Sequence, residues 1–181
     1  MRFGTRIATS LLILGLTGCV TFAEPIATNT AADPTKSYVY GRFKIDQAKT
    51  WLGLKQSYTI GIEIKCSDDK TYVIKLQPSP EVQVVQVSTG SCGVNRMIFT
   101  DGGGNFLDGD EGEDGPHNNF KTIPGQAVYV GEYLAESKAG AMGGITWKWA
   151  PLHSSYDKTT EEMLTVYPSM QAIQTRNVFA R

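Results

Sequence analysis

From Ser37 onward, apolar and polar residues alternate with a period of two, the mark of strands that bury one face. Val39, Gly41, Phe43 and Ile45 alternate with Tyr40, Arg42 and Lys44. Over 57–66 the even positions Ile60, Ile62, Ile64 and Cys66 form one apolar face. Ser67-Asp68-Asp69-Lys70 then reads as a turn, and Tyr72, Ile74 and Leu76 resume the pattern, so 57–77 is a predicted hairpin. Pro78-Ser79-Pro80 interrupts the ladder because proline lacks an N–H to donate. Strand 81–88 follows, and its apolar phase slips by one near Val84, which predicts a bulge. Further strands are expected at 91–99, 127–134 and 144–149, the last two joined by a turn around Gly140, Gly143 and Gly144. Near the C-terminus, Thr159-Thr160-Glu161-Glu162 fits a capping box, with Met163, Leu164 and Tyr167 packing back. Pro168 ends that helix or opens a second one. Short strands at this spacing predict an all-β fold, an antiparallel β-sandwich with a short C-terminal helix.

The N-terminal residues follow another rule. Arg2 and Arg6 precede an uncharged run of ten residues, Ile7 to Leu16. A basic start and a short apolar core read as a secretory signal peptide. A membrane-spanning helix needs about 20 apolar residues, so the run is too short to be one. Leu16-Thr17-Gly18-Cys19 closes it and resembles the lipobox of bacterial lipoproteins. That resemblance implies cleavage before Cys19, diacylation of its thiol and anchorage in the membrane; two acyl chains hold firmly where one does not. By the sorting rule of such lipoproteins, Val20 in place of Asp implies the bacterial outer membrane, on its periplasmic face or at the cell surface. Residues 20–36 are rich in Thr, Ala, Asn and Pro without alternation. The expected division is therefore signal peptide 1–18, lipidated N-terminus and flexible tether 19–36, and domain 37–181.

Gly41-Arg42, and Ile123-Pro124-Gly125 ahead of Val128-Tyr129-Val130-Gly131-Glu132-Tyr133, resemble small uncharacterised bacterial lipoproteins over residues 38–134. Their domains are prealbumin-like or carboxypeptidase-regulatory-like sandwiches, related in architecture to Ig-like domains, in which a Pro-Gly turn starts a Tyr-rich strand. The resemblance implies a fold and carries no activity with it.

Composition narrows the partners. Without residues 1–18 the chain keeps 163 of its 181 residues, with 15 basic and 18 acidic side chains, net −3. That length supports one sizeable core, and a weakly acidic chain has no footprint for nucleic acid. The implied partners are the membrane, through the lipid, and an envelope protein or glycan.

Candidate chemistry is sparse. The loop 101–115 places six carboxylates and Asn105 among six glycines. Asp101, Asp108, Asp110 and Asp114 are the calcium candidates, since calcium takes about six to eight oxygens from a backbone that can wrap it. Asp108 and Asp110 match the start of an EF-hand spacing, whereas Glu113 and Asn119 break it. A solvated loop beside a sheet edge explains the composition as well. His117 with Asp114 or Glu113 is the pair a hydrolase would use, and His153 precedes Ser154 and Ser155, but no metal or nucleophile motif accompanies either histidine. Trp147, Trp149 and Tyr133 offer an aromatic face, or simply core. With Cys19 acylated, Cys66 and Cys92 remain as an even pair in an oxidising compartment and are expected to form a disulfide. Strands 57–66, 70–77, 81–88 and 91–99 alternate in direction, which brings both cysteines to one end. The function expected is a lipid-anchored, non-enzymatic envelope module. A calcium-dependent binding module on 101–114 and a hydrolase are the alternatives.

Overall fold

The computed structural model describes residues 21–46, 59–79, 81–101, 105–110, 119–139, 145–152 and 156–179. The strands are β1 Phe22–Ala23, β2 Ser37–Asp46, β3 Thr59–Cys66, β4 Thr71–Lys75, β5 Val82–Val87, β6 Gly90–Thr100, β7 Phe106–Asp110, β8 Asn119–Thr122, β9 Gln126–Ala139, β10 Ile145–Leu152 and β11 Gln174–Asn177. Helix α1, Tyr156–Val166, and a 3-10 helix, Pro168–Ala172, stand between β10 and β11. One sheet has the order β1-β4-β3-β6-β7, with β8 also on β6; the other has the order β10-β9-β2-β5, with β11 also on β9.

The expected hairpin forms, with β3 antiparallel to β4. Asp69, at φ 61°, turns the chain in a region that Asp tolerates better than most residues. The sheets are mixed, however, which corrects the purely antiparallel expectation. β1 on β4, β2 on β9 and β11 on β9 are parallel pairs. Parallel neighbours need long crossovers, and these connections have them. Between β2 and β9 the chain runs through β3 to β8, and between β9 and β11 it runs through β10, α1 and the 3-10 helix.

Two buried clusters account for the hydrophobic pattern. The larger draws Val39 and Phe43 from β2, Ile60, Ile62 and Ile64 from β3, Val85 and Val87 from β5, and Val128 and Tyr133 from β9. It therefore joins side chains of both sheets. The smaller gathers Tyr38, Tyr40, Val82, Val84 and Tyr129 against Met163, Tyr167 and Met170 of the helical tail. This second cluster corrects the bulge expected near Val84. β5 pairs with β2 in unbroken register, and its phase slip arises because both faces of the strand are covered. The bulges lie instead at Tyr40/Gly41, Glu63/Ile64 and Phe99/Thr100.

Residues 21–36, within the expected tether, lie against the domain. β1 adds to the edge of β4, Phe22 lies beside Gly61, and Ile26 N–H donates to Val84 O at 2.8 Å. Further along, Ser169 Oγ donates to Thr30 O at 2.7 Å. Phe22, Ala23 and Ile26 are too few and too unevenly spaced to show a period, yet each finds apolar contact on the domain. Hydrogen exchange checks this. The amides of Ala23 and Ile26 are expected to exchange as slowly as those of β5; exchange as fast as in a free peptide would mean a flexible tether.

The helix also differs from its expected start. α1 begins at Tyr156, so Thr159, Thr160 and Glu162 lie inside it and serve tertiary contacts rather than a cap. Pro168 opens the 3-10 helix at its first turn, where its missing N–H costs little. No described helix is long and apolar enough to cross a membrane.

Candidate functional site

Two polar clusters stand out, and the first is built by glycines. Across the β2–β9 pair, Tyr40 faces Tyr129 while Gly41 faces Gly131, so Val130 is the extra residue of a bulge. Gly131 has φ 108°, a conformation that glycine adopts without strain. The next residues along, Arg42 and Glu132, pair at 3.4 Å. Arg42 also pairs with Glu162 of α1, and Thr159 donates its hydroxyl to Glu132 at 2.7 Å. Tyr40 and Thr160 share a hydroxyl–hydroxyl bond of 2.7 Å one step away. Burial pushes the Tyr40 phenol well above its ordinary range despite that bond, so it stays neutral. Charge opposes charge and both helix threonines are bonded, which makes the cluster a clamp holding α1 to the sheet.

The second cluster lies at the end where β3 finishes and β6 begins. Cys66 and Cys92 face each other in register and form a disulfide with Cα atoms 4.0 Å apart. The alternation in β3 placed Cys66 on the buried face, and both cysteines are buried there. Beside the disulfide is a shallow hollow of about 370 Å³ lined in part by Lys65, Ser67, Asn95 and Asn119. A second hollow of about 340 Å³ lies near Lys36, Asp68, Lys70, Ser88 and Thr89.

Ser88 is the centre of the second hollow. Its Oγ is 2.7 Å from Tyr72 Oη and accepts from Lys70 Nζ at 3.4 Å. The Ser88 hydroxyl, with help from Lys70, holds the Asp68 carboxyl below its usual range. Serine, lysine and tyrosine together can make a nucleophile and its base, but the base must offer a lone pair. Lys70 is a donor here, two-thirds exposed and 3.2 Å from Asp68. The hollow therefore offers donors and acceptors for hydrogen bonds.

The remaining sequence candidates are dispersed. Asp101 accepts from the backbone N–H and the side-chain amide of Asn105, both at 2.8 Å, which occupies both carboxylate oxygens. Asp108 and Asp110 belong to β7, so this part of the expected 101–115 loop is extended backbone paired with β6 and does not wrap around a point. Among the described residues, no three metal-ligating side chains converge. Tyr133 is core, stacked on Phe43 with ring centroids 5.9 Å apart, and its hydroxyl donates to Val130 O. Trp147 and Trp149 belong to β10, opposite Ser137 and Ala135 of β9. Cys19, Glu113, Asp114, His117, His153, Ser154, Ser155 and the glycines at 140, 143 and 144 lie outside the described residues.

Arg42, Glu132 and Glu162 were not legible as a set, because nothing local says which sheet face receives α1. The one signal was an arginine on a strand position beside a glycine. No protein-family model matches the chain, and no curated protein matches it either.

Proposed function

We propose that this chain is a lipid-anchored protein of the bacterial envelope, whose domain acts by binding or by its structural presence rather than by catalysis. One observation carries the proposal. Cys66 pairs with Cys92, which leaves Cys19 as the one cysteine of the sequence outside that bond, directly after a basic and apolar leader. A disulfide fits an oxidising compartment, and a leader that ends in a lone cysteine fits lipid attachment there. The outer membrane, sorted by Val20, is the destination. The two sheets stack as a sandwich around the larger core, and the tail covers one outer face. The polar hollows at the disulfide end offer donors and acceptors to an envelope protein or glycan.

Mass spectrometry of the N-terminal peptide tests the reading. The expected product lacks residues 1–18 and carries a diacylglyceryl thioether on Cys19. Cys19→Ser is expected to leave an uncleaved precursor or a soluble product. A processed Cys19→Ser protein that still partitions with membranes would overturn the anchor.

A further inference from the structure

We infer that the disulfide end of the domain rests against the bilayer, with the Ile123-Pro124-Gly125 turn and its neighbouring lysines meeting the lipid headgroups. The inference rests on the proposed lipidation of Cys19 and adds an orientation and a contact surface to it.

The first support is chain length. β1 pairs in parallel with β4, Phe22 opposite Val73 and Ala23 opposite Ile74. The N-terminal end of β1 therefore lies toward the start of β4 and the 66–70 turn, which is the disulfide end. Cys19 stands three residues before Phe22, and three residues reach at most about 11 Å when fully extended. A long tether would leave orientation free, whereas one this short keeps the end beside β1 close to the lipid.

The second support is what that end exposes. β8 runs antiparallel to β6 with Thr122 opposite Gly90, which carries Ile123 to the same end. Among the side chains described, Ile123 and Phe179 are the exposed large hydrophobics, each 44% exposed. Ile123 opens a tight turn in which Gln126 N–H returns to Ile123 O at 3.2 Å. Pro124 and Gly125, at φ 74°, suit the central positions of a type II turn. Among the described residues, exposed Lys36, Lys65, Lys70 and Lys121 stand toward that end, against Asp33, Asp68 and Asp69. Asp68 is paired with Lys70, and Asp33 is bonded by Thr35. Among the described residues the balance at that end is slightly positive, which suits anionic headgroups. An isolated apolar tip with lysines at the same end is small for a stable protein interface but has the form of a shallow membrane contact.

The test uses the full lipidated protein in vesicles of phosphatidylethanolamine and phosphatidylglycerol. With Cys19 acylated and Cys66 bonded to Cys92, a new cysteine is the one thiol open to labelling. A fluorophore is placed at Lys121→Cys or Ile123→Cys, and in a third protein at Asp46→Cys at the far end of β2. Ten strand residues set these ends about 30 Å apart. With quencher-bearing headgroups, the labels at 121 and 123 are expected to lose fluorescence while that at 46 keeps it. Flotation of the same samples, with Cys19→Ser as control, reports the anchor separately. Protein that floats with its vesicles but is quenched equally at both ends, or at 46 alone, overturns the orientation and leaves the anchor standing. Floating protein quenched at no position does the same. Protein that fails to float with Cys19 intact overturns the anchor, and the orientation with it.

Discussion

Replacing Cys66 and Cys92 together by alanine is expected to lower the free energy of unfolding by about 3.5 kcal/mol. The bond closes a loop with a sequence separation of 26, and loop-closure entropy in the unfolded chain gives about that magnitude. It also ties adjacent strands, since β3 and β6 are neighbours and the two cysteines face each other. Both are buried, at 3% and 2% exposure, so a reductant reaches the bond only when that end opens. Urea unfolding with and without dithiothreitol measures the effect. The oxidised protein should lose about as much stability on reduction as on double substitution, while the alanine variant should not respond to the reductant. A loss below about 1 kcal/mol would mean that the unfolded chain is already constrained there.

Gly41→Ala is expected to cost about 3 kcal/mol or more. A methyl group at Gly41 would stand 2.2 Å from Gly131 O and 3.1 Å from Phe43 Cζ. The nearer obstacle is a backbone carbonyl of β9, so relief requires β2 and β9 to part. Overpacking that moves backbone belongs at the costly end of core substitutions. The damage should spread to α1, because Arg42 follows Gly41 and holds Glu132 and Glu162 together. Thermal unfolding reads the loss, and hydrogen exchange in α1 reads the loosened clamp. Gly61→Ala is the comparison. Its two nearest obstacles are the Val73 Cγ1 and Phe22 Cε1 side-chain atoms, at 2.5 and 2.9 Å, and its nearest backbone atom, Ile74 O, stands at 3.1 Å. No backbone atom is as close as Gly131 O is at Gly41, so a smaller loss is expected. Equal losses would place the constraint in general crowding and not in the β2–β9 bulge.

The features that the sequence announced are those decided within a few residues. Alternation in 58–66 put Cys66 on the buried face, because side chains of a strand point to opposite sides in turn. Ser67-Asp68-Asp69-Lys70 and Pro124-Gly125 read as turns because the backbone angles there depend on those residues themselves. Pro168 stood at a helix start for the same reason. The acidic stretch after Asp101 was misread as one loop: glycine and aspartate oppose a strand only weakly, and pairing with β6 supplies the hydrogen bonds that make 106–110 extended.

Residue order by itself therefore determined the strand-rich class, the main turns, the buried phase of β3 and the availability of Cys66 and Cys92 to each other. Tertiary structure decided the parallel pairing of β2 with β9 and the seating of β1 on β4. It decided that Val82 and Val84 meet a helix some 80 residues away, and that Arg42 answers two glutamates on different elements. The division has a physical cause. Alternation and turn geometry are set by neighbours along the chain, whereas the partner of an apolar face or a half-buried charge is chosen by which surfaces the whole fold brings together.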